Sequence, residues 1–280
     1  MPESEFTIRY REGQSFFACE WSSSAPKAVI VLIHGLSDHS GRYRHLGAYF
    51  AAAGYAMVIV DLRGHGKSFG KRGHFPTYER VMDDITLFID AARNRHPQLP
   101  MILYGHSMGG NLVLNYLIRK TPAVVASVVT SPWLRLNFKP PLYKLVMAMM
   151  INRVFPSMTQ KDRIIPSYLS HDKAVAKEYL ADPLVHNRIS VRTYMEITLA
   201  GEYALNHADK VGCPLLLMHG TDDLLTSFSA SREFIHKVTA EHTFKTWEGL
   251  YHELHNEVGK EAVLGFIKGW MDLVVLKATG

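Results

Sequence analysis

A serine set between glycines, Gly105-His106-Ser107-Met108-Gly109, is the pattern in this chain most able to do covalent chemistry. Met101, Ile102, Leu103 and Tyr104 before it read as a buried strand, and Leu112, Val113, Tyr116 and Leu117 after it fall on one helix face. Gly105 and Gly109 carry no Cβ, so strand and helix can approach closely. Ser107 is then forced onto a sharp, strained turn that presents its hydroxyl. The plainer reading is an ordinary glycine-rich turn, but the strand before and the helix after favour a nucleophile. A serine hydroxyl is weak at neutral pH. It needs an imidazole within hydrogen-bond reach, and that imidazole needs a carboxylate to hold its tautomer.

Such an elbow resembles that of the α/β-hydrolases, in which the acid and then the histidine follow the serine along the chain. The acid is sought just past a late strand, where Leu215–Met218 leads into His219-Gly220-Thr221-Asp222-Asp223. One of the two aspartates is then the acid and the other is structural, capping the turn. The histidine is sought after the final strand, where Thr243–Trp247 leads into Glu248-Gly249-Leu250-Tyr251-His252. His255 is the supporting alternative, while His106 and His219 read as pocket or core residues. Asp61 also ends a strand, but the Arg63-Gly64-His65-Gly66 that follows suggests a turn-stabilising ion pair. Attack on a carbonyl creates an oxyanion, which two backbone N–H groups must meet. Met108, opening its helix, and Leu36, in the loop after the third strand, are the candidates.

The elements that would position these residues are strand runs at Ala28–Ile33, Ala56–Val60, Met101–Tyr104, Ala126–Thr130 and Pro214–Met218. Helical patterns at Arg44–Ala53, Thr77–Arg95 and Asn111–Lys120 alternate with them, and Thr77 is placed to cap the second. Alternation of this kind predicts an α/β fold with a mostly parallel central sheet flanked by helices on both faces. Phe6–Tyr10 and Ser15–Trp21, joined around Gly13, read as an edge hairpin. The alternation stops at Pro132, and no strand run is seen from Trp133 to Ala208. Residues 133–208 are therefore expected to form an inserted helical cap over a core of residues 1–132 and 209–280. Within it Leu142–Phe155 is apolar almost all round, which predicts burial between cap and core. The sharper alternative is a spare face that lines an acyl tunnel or touches a membrane. A last helix is expected over Asn256–Leu276, with a core-facing stripe of Val258, Ala262, Val263, Phe266, Ile267, Trp270 and Val274.

The 280 residues, 47% hydrophobic and 20% charged, describe a globular chain, and the net charge of +5 is modest. No Lys/Arg block with interleaved aromatics occurs, so nucleic acid is a poor partner. His252-Glu253-Leu254-His255 has the wrong spacing for a zinc-protease helix, and neither metal nor cofactor is expected. Cys19 and Cys213 read as buried free thiols. The N-terminus lacks a basic stretch followed by an apolar one, so no signal peptide is expected and a cytoplasmic location is the default.

The sequence as a whole resembles the monoacylglycerol lipase and lysophospholipase branch of the α/β-hydrolases. The matching stretches are His34-Gly35-Leu36-Ser37-Asp38-His39-Ser40-Gly41-Arg42-Tyr43, Asp61-Leu62-Arg63-Gly64-His65-Gly66-Lys67-Ser68 and Gly105–Gly110. They continue through Asp182-Pro183-Leu184, His219–Asp223 and Tyr251-His252-Glu253. The resemblance implies a Ser107, Asp223 and His252 triad, oxyanion donors at Leu36 and Met108, and a cap over an acyl pocket. It also implies a polar end for glycerol shaped by Asp38 and Arg42, with His106 beside the serine. Asp38 stands where the family commonly has glutamate, and the cap matches poorly apart from Asp182-Pro183-Leu184.

The expected activity is cofactor-free hydrolysis of monoacylglycerols to glycerol and fatty acid through an acyl-enzyme. The rivals are a lysophospholipase, a broad short- or medium-chain carboxylesterase, and a small-ligand receptor built on a hydrolase fold. A peptidase is disfavoured because Glu178 and Glu196 do not obviously supply an anchor for a free amine. The basic excess of the cap (Arg135, Lys139, Lys144, Arg153, Lys161, Arg163) would suit a carboxylate product or an anionic lipid interface; a solvated face explains it equally well.

Overall fold

The structure, a computed structural model, describes residues 3–138, 141–162 and 164–279. Lys139 and Arg163, two of the basic residues expected in the cap, lie outside the described residues. The chain opens with a hairpin of β1 (Glu3–Arg11) and β2 (Gln14–Ser22), reversed at Gly13 with a φ of +70°. There follow β3 (Val29–Ile33), α1 (Arg44–Ala52), β4 (Ala56–Val60), α2 (Tyr78–Arg95), β5 (Met101–His106), α3 (Met108–Lys120) and β6 (Ala126–Thr130). A long intervening segment then holds α4 (Leu142–Val154), β7 (Thr159–Lys161), α5 (Lys173–Ala181), β8 (Arg188–Ser190) and α6 (Val191–Asn206). The chain closes with β9 (Leu215–Gly220), α7 (Phe228–Ile235), β10 (His242–Trp247) and α8 (Lys260–Thr279).

Eight strands form one sheet in the order β1-β2-β4-β3-β5-β6-β9-β10. The first hairpin is antiparallel, and β4, β3, β5, β6, β9 and β10 run parallel. Each inner strand is buried along its length because helices cover both faces, which is why those strands read as continuous apolar runs. Successive side chains of β3 serve opposite cores. Val29, Val31 and Ile33 pack with α2, α3 and α6, while Ile30 and Leu32 pack with α1 and α8. Thr77 caps α2 by accepting the Arg80 N–H at 3.2 Å.

The structure corrects three expectations about the elements. The segment 133–208 contains strand after all: β7 and β8 pair antiparallel over three residues each, too short to show a period-two pattern. The helix over Leu142–Phe155 is not buried between layers; Met147, Met150, Val154 and Phe155 are 52–65% exposed. It is α6 that joins the main core, its Ile197 and Ala200 carbonyls accepting from Asn111 and Asn115 of α3. Finally, α8 begins at Lys260, after Gly259 turns with a φ of +78°. Its buried stripe is Val263, Leu264, Ile267, Met271, Val274 and Val275, and Val258, Ala262 and Phe266 are exposed. Among the described residues no helix is long and apolar enough to cross a membrane.

Candidate active site

Parallel strands deliver their C-terminal loops to one edge of a sheet, and β3, β5, β9 and β10 deliver Leu36, Ser107, Asp223 and His252. The order reverses between β3 and β5, neighbours in the sheet but separated in the chain by β4, and Ser107 sits at that switch point. Ser107 has a φ of 55° and a ψ of −118°, a strained backbone for a side chain with a Cβ. The flanking glycines allow it. A Cβ on Gly109 would collide with the carbonyl oxygen of Ile33, and one on Gly105 would meet the Gly109 carbonyl at 2.5 Å.

Ser107 Oγ lies 2.9 Å from Nε2 of His252, whose Nδ1 lies 2.7 Å from Oδ2 of Asp223. Asp223 is also the turn cap: its Oδ1 accepts from the N–H groups of Leu225 and Thr226 at 2.8 and 3.0 Å. The sequence reading assigned turn capping to the other aspartate. Asp222 is instead exposed, its side chain accepting from the Thr221 hydroxyl at 3.1 Å. Burial opposes the Asp223 charge, but His252 and the hydrogen bonds from His219 and His252 overcome it and hold the carboxyl well below its usual range. Burial likewise opposes protonation of His252, and the Asp223 carboxylate outweighs it, leaving that imidazole above its ordinary value.

The neighbouring histidines behave differently. His106 packs 4.9 Å from the His252 ring and 4.8 Å from the His255 ring, centre to centre. Burial pushes His106 well down and His255 down to about 3, so both stay neutral at physiological pH. Nδ1 of His106 bonds Thr130 Oγ1 at 3.0 Å, and neither ring is hydrogen-bonded to Ser107 or Asp223. Asp61 forms no pair with Arg63. It accepts the Ser40 and Lys67 N–H groups at 2.7 Å each, while Arg63 forks onto Asp84.

A pocket of about 450 Å³ opens above Ser107. Its apolar wall includes Trp133, Leu136, Ile151 and Met158, with Met147 of α4 and Tyr194 of α6. Asp38, Arg42, His106, Tyr179 and Glu253 form a polar end. Arg42 is held in a fork by Glu253 at 2.8 Å on both oxygens and touches Asp38 at 3.2 Å. Asp38 also accepts from the Tyr43 hydroxyl at 2.7 Å. The Tyr179 ring lies 5.0 Å from the Arg42 guanidinium, and its buried hydroxyl meets no protein partner among the described residues. Leu36 lines the pocket, and a Cβ on Gly35 before it would reach Ser107 Cβ at 3.2 Å. Met108 opens α3, so its N–H has no acceptor within the helix.

Sequence reasoning missed the Glu253–Arg42 pair, the Tyr179 hydroxyl and the hydrogen bond of 2.5 Å from Ser37 Oγ to Asp162. Glu253 and Arg42 stand in motifs that were legible, but nothing in the spacing of two residues 211 positions apart announces a contact.

Comparison with known proteins gives a consistent picture. Residues 24–259 match the family Hydrolase_4, described as serine aminopeptidase, S33. An abhydrolase domain-containing protein of Dictyostelium discoideum is 39% identical over 88% of this chain, which spans 26% of that relative's length. A monoacylglycerol lipase of Mycolicibacterium smegmatis is 32% identical over 88% of both chains. Among solved structures, a monoacylglycerol lipase of Paleococcus ferrophilus superposes with a TM-score of 0.83 at 31% identity, over 93% of this chain and 98% of the other.

Proposed function

This chain belongs to the Hydrolase_4 family of α/β-hydrolases, and from that premise we propose that it cleaves monoacylglycerols through a Ser107 acyl-enzyme. It is a carboxylic ester hydrolase of the lipase and esterase kind. In the proposed mechanism His252 takes the Ser107 proton as the hydroxyl attacks the ester carbonyl, and Asp223 stabilises the imidazolium. The N–H groups of Leu36 and Met108 receive the oxyanion, each contributing on the order of 3 kcal/mol to lowering the barrier. His252 then protonates the departing glycerol oxygen. A water activated by the same histidine releases the fatty acid.

The observation that carries this reading is a serine within 2.9 Å of a histidine in a mostly apolar pocket that also holds the polar cluster of Asp38, Arg42, Tyr179 and Glu253. The apolar wall suits an acyl chain, and the Tyr179 hydroxyl is free to meet a glycerol hydroxyl. Of the pocket carboxylates, Asp38 and Glu253 share Arg42, and Asp162 accepts from the Ser37 hydroxyl and the Ile164 N–H. Hydrolysis of 1- and 2-monoacylglycerols, lysophosphatidylcholine and nitrophenyl esters over a range of chain lengths tests it. The highest kcat/KM is expected for a monoacylglycerol. Preference for lysophosphatidylcholine would make the enzyme a lysophospholipase, preference for short nitrophenyl esters a broad esterase, and stoichiometric binding without turnover a receptor.

The segment 133–208 acts in this reading as the cap, and α4 is its lipid-facing element. One side of α4, at Lys144, Met147, Ala148 and Ile151, lines the pocket, while Tyr143, Met150 and Val154 are exposed beside Arg153. An apolar face bordered by a cation fits an anionic lipid surface. Sedimentation with vesicles containing anionic lipid should bring down the wild type and much less of Met150→Glu; equal sedimentation would reject the assignment.

A further inference from the structure

We propose that His219 is a positioning residue of the catalytic acid, donating to the same Asp223 oxygen that orients His252 and thereby tuning that pair. The inference rests on the Ser107, His252 and Asp223 reading above. His219 is the fifth residue of β9, fully buried, with Nε2 3.0 Å from Oδ2 of Asp223. On its other side Nδ1 lies 2.8 Å from Ser231 Oγ in α7. A neutral ring that donates through Nε2 has its lone pair on Nδ1, where the serine hydroxyl can donate to it. The Phe228 ring lies perpendicular to the His219 ring, 5.8 Å away between ring centres. The ring is therefore held on both nitrogens and packed in place.

Asp223 Oδ1 is fully used by two backbone N–H groups, so the balance of charge is decided at Oδ2. Three donors meet there: His252 Nδ1 at 2.7 Å, Thr226 Oγ1 at 2.8 Å and His219 Nε2 at 3.0 Å. Each donor draws charge from that oxygen and weakens its pull on the others. Without His219 the carboxylate would hold the His252 proton more firmly, and less of His252 would be neutral at a given pH. The carboxylate would also lose a restraint on its rotation. The other ionisable groups facing His252 are Glu253, Asp38, His106 and His255, and none of them hydrogen-bonds to Asp223. Among the described residues, Asp223 is the ionisable group that His219 hydrogen-bonds, and Thr226 lies between His219 and His252, 3.4 Å from each.

The test is the pH dependence of kcat/KM for His219→Leu, His219→Gln and Ser107→Ala beside the wild type, with thermal unfolding as a check on folding. His219→Leu is expected to lose about ten-fold in kcat at little cost in KM and to move the acid limb up by about half a pH unit. The glutamine amide can donate to Oδ2, so His219→Gln should restore the limb and most of kcat. Should His219→Leu fail to fold, His219→Asn replaces it, since its shorter amide reaches toward Ser231 and stops short of Asp223. A wild-type limb in the folded Leu or Asn variant, or a Gln variant no better than either, overturns the inference. Loss of turnover in Ser107→Ala alongside such a result leaves the triad reading standing; turnover retained in Ser107→Ala removes both.

Discussion

Arg42 carries a charge that no substrate has to neutralise. Asp38 and Arg42 both line the pocket, but the guanidinium is already forked onto Glu253, and the pair is almost wholly buried. Removing one partner leaves an uncompensated buried charge, so Arg42→Met should destabilise the fold by about 3–5 kcal/mol, with the Arg42→Met, Glu253→Leu double variant recovering part of it, since buried Asp38 still lacks its Arg42 contact. Urea unfolding of the four members of that cycle measures the coupling. Burial would raise the Glu253 carboxyl, but Arg42 overrides it and holds it far below its ordinary value. Stability from this pair is therefore fully present above the unfolded glutamate value and lost as pH falls toward the depressed folded one. His252 shifts the opposite way. Catalysis needs it neutral, and its value lies above 6.5, so kcat/KM should fall with decreasing pH along a limb centred above that point. A limb well below 6.5 would contradict the electrostatics of the site. At this scale the sequence was informative where a residue sits in a local motif, as Ser107 and His252 do. It was silent where a partner comes from across the fold, as Glu253 and Asp162 do.

The elements divide by how strongly their pattern was constrained. Strands β3, β4, β5 and β9 were legible because both faces are covered and their side chains are apolar up to His106 and His219 near the C-terminal ends of β5 and β9. α2 was legible because one face meets the sheet and the other meets water. α4 was legible as a helix but not in its placement. An all-round apolar pattern cannot distinguish a helix buried between layers from one with a pocket on one side and an open surface on the other. β7 and β8, at three residues each, carry no period at all. The elbow makes the sharpest prediction at this scale. Gly109 packs α3 against β3 so closely that Gly109→Ala must push helix and strand apart. A loss of about 1–3 kcal/mol is expected together with loss of turnover, read by thermal unfolding and by ester hydrolysis. Near-wild-type stability and turnover would show that the approach is not tight.

The molecule as a whole is a sheet with a core on each face and a proposed cap fixed to it unevenly. α6 is tied into the main core through Asn111 and Asn115, and Ser37, His39 and Glu257 bond to Asp162, Asp182 and His171 of the intervening segment. α4 has much of its surface exposed, so its amides should exchange with solvent well before those of α6 in hydrogen-exchange mass spectrometry. Equal protection would mean that the cap moves as one body. The alternation of strands and helices foretold the sheet, and its shared C-terminal edge foretold where distant loops would meet. How closely those loops meet depends on the packing of the entire domain, which no local pattern encodes. Ser107 and His252, 145 positions apart, touch only because that packing is complete. The most direct test is covalent: intact-mass and peptide analysis after exposure to a fluorophosphonate, with Ser107→Ala alongside. A single adduct on Ser107 of the wild type, and none on the variant, is predicted. An unmodified wild type, or an adduct elsewhere while Ser107→Ala still hydrolyses esters, would contradict it.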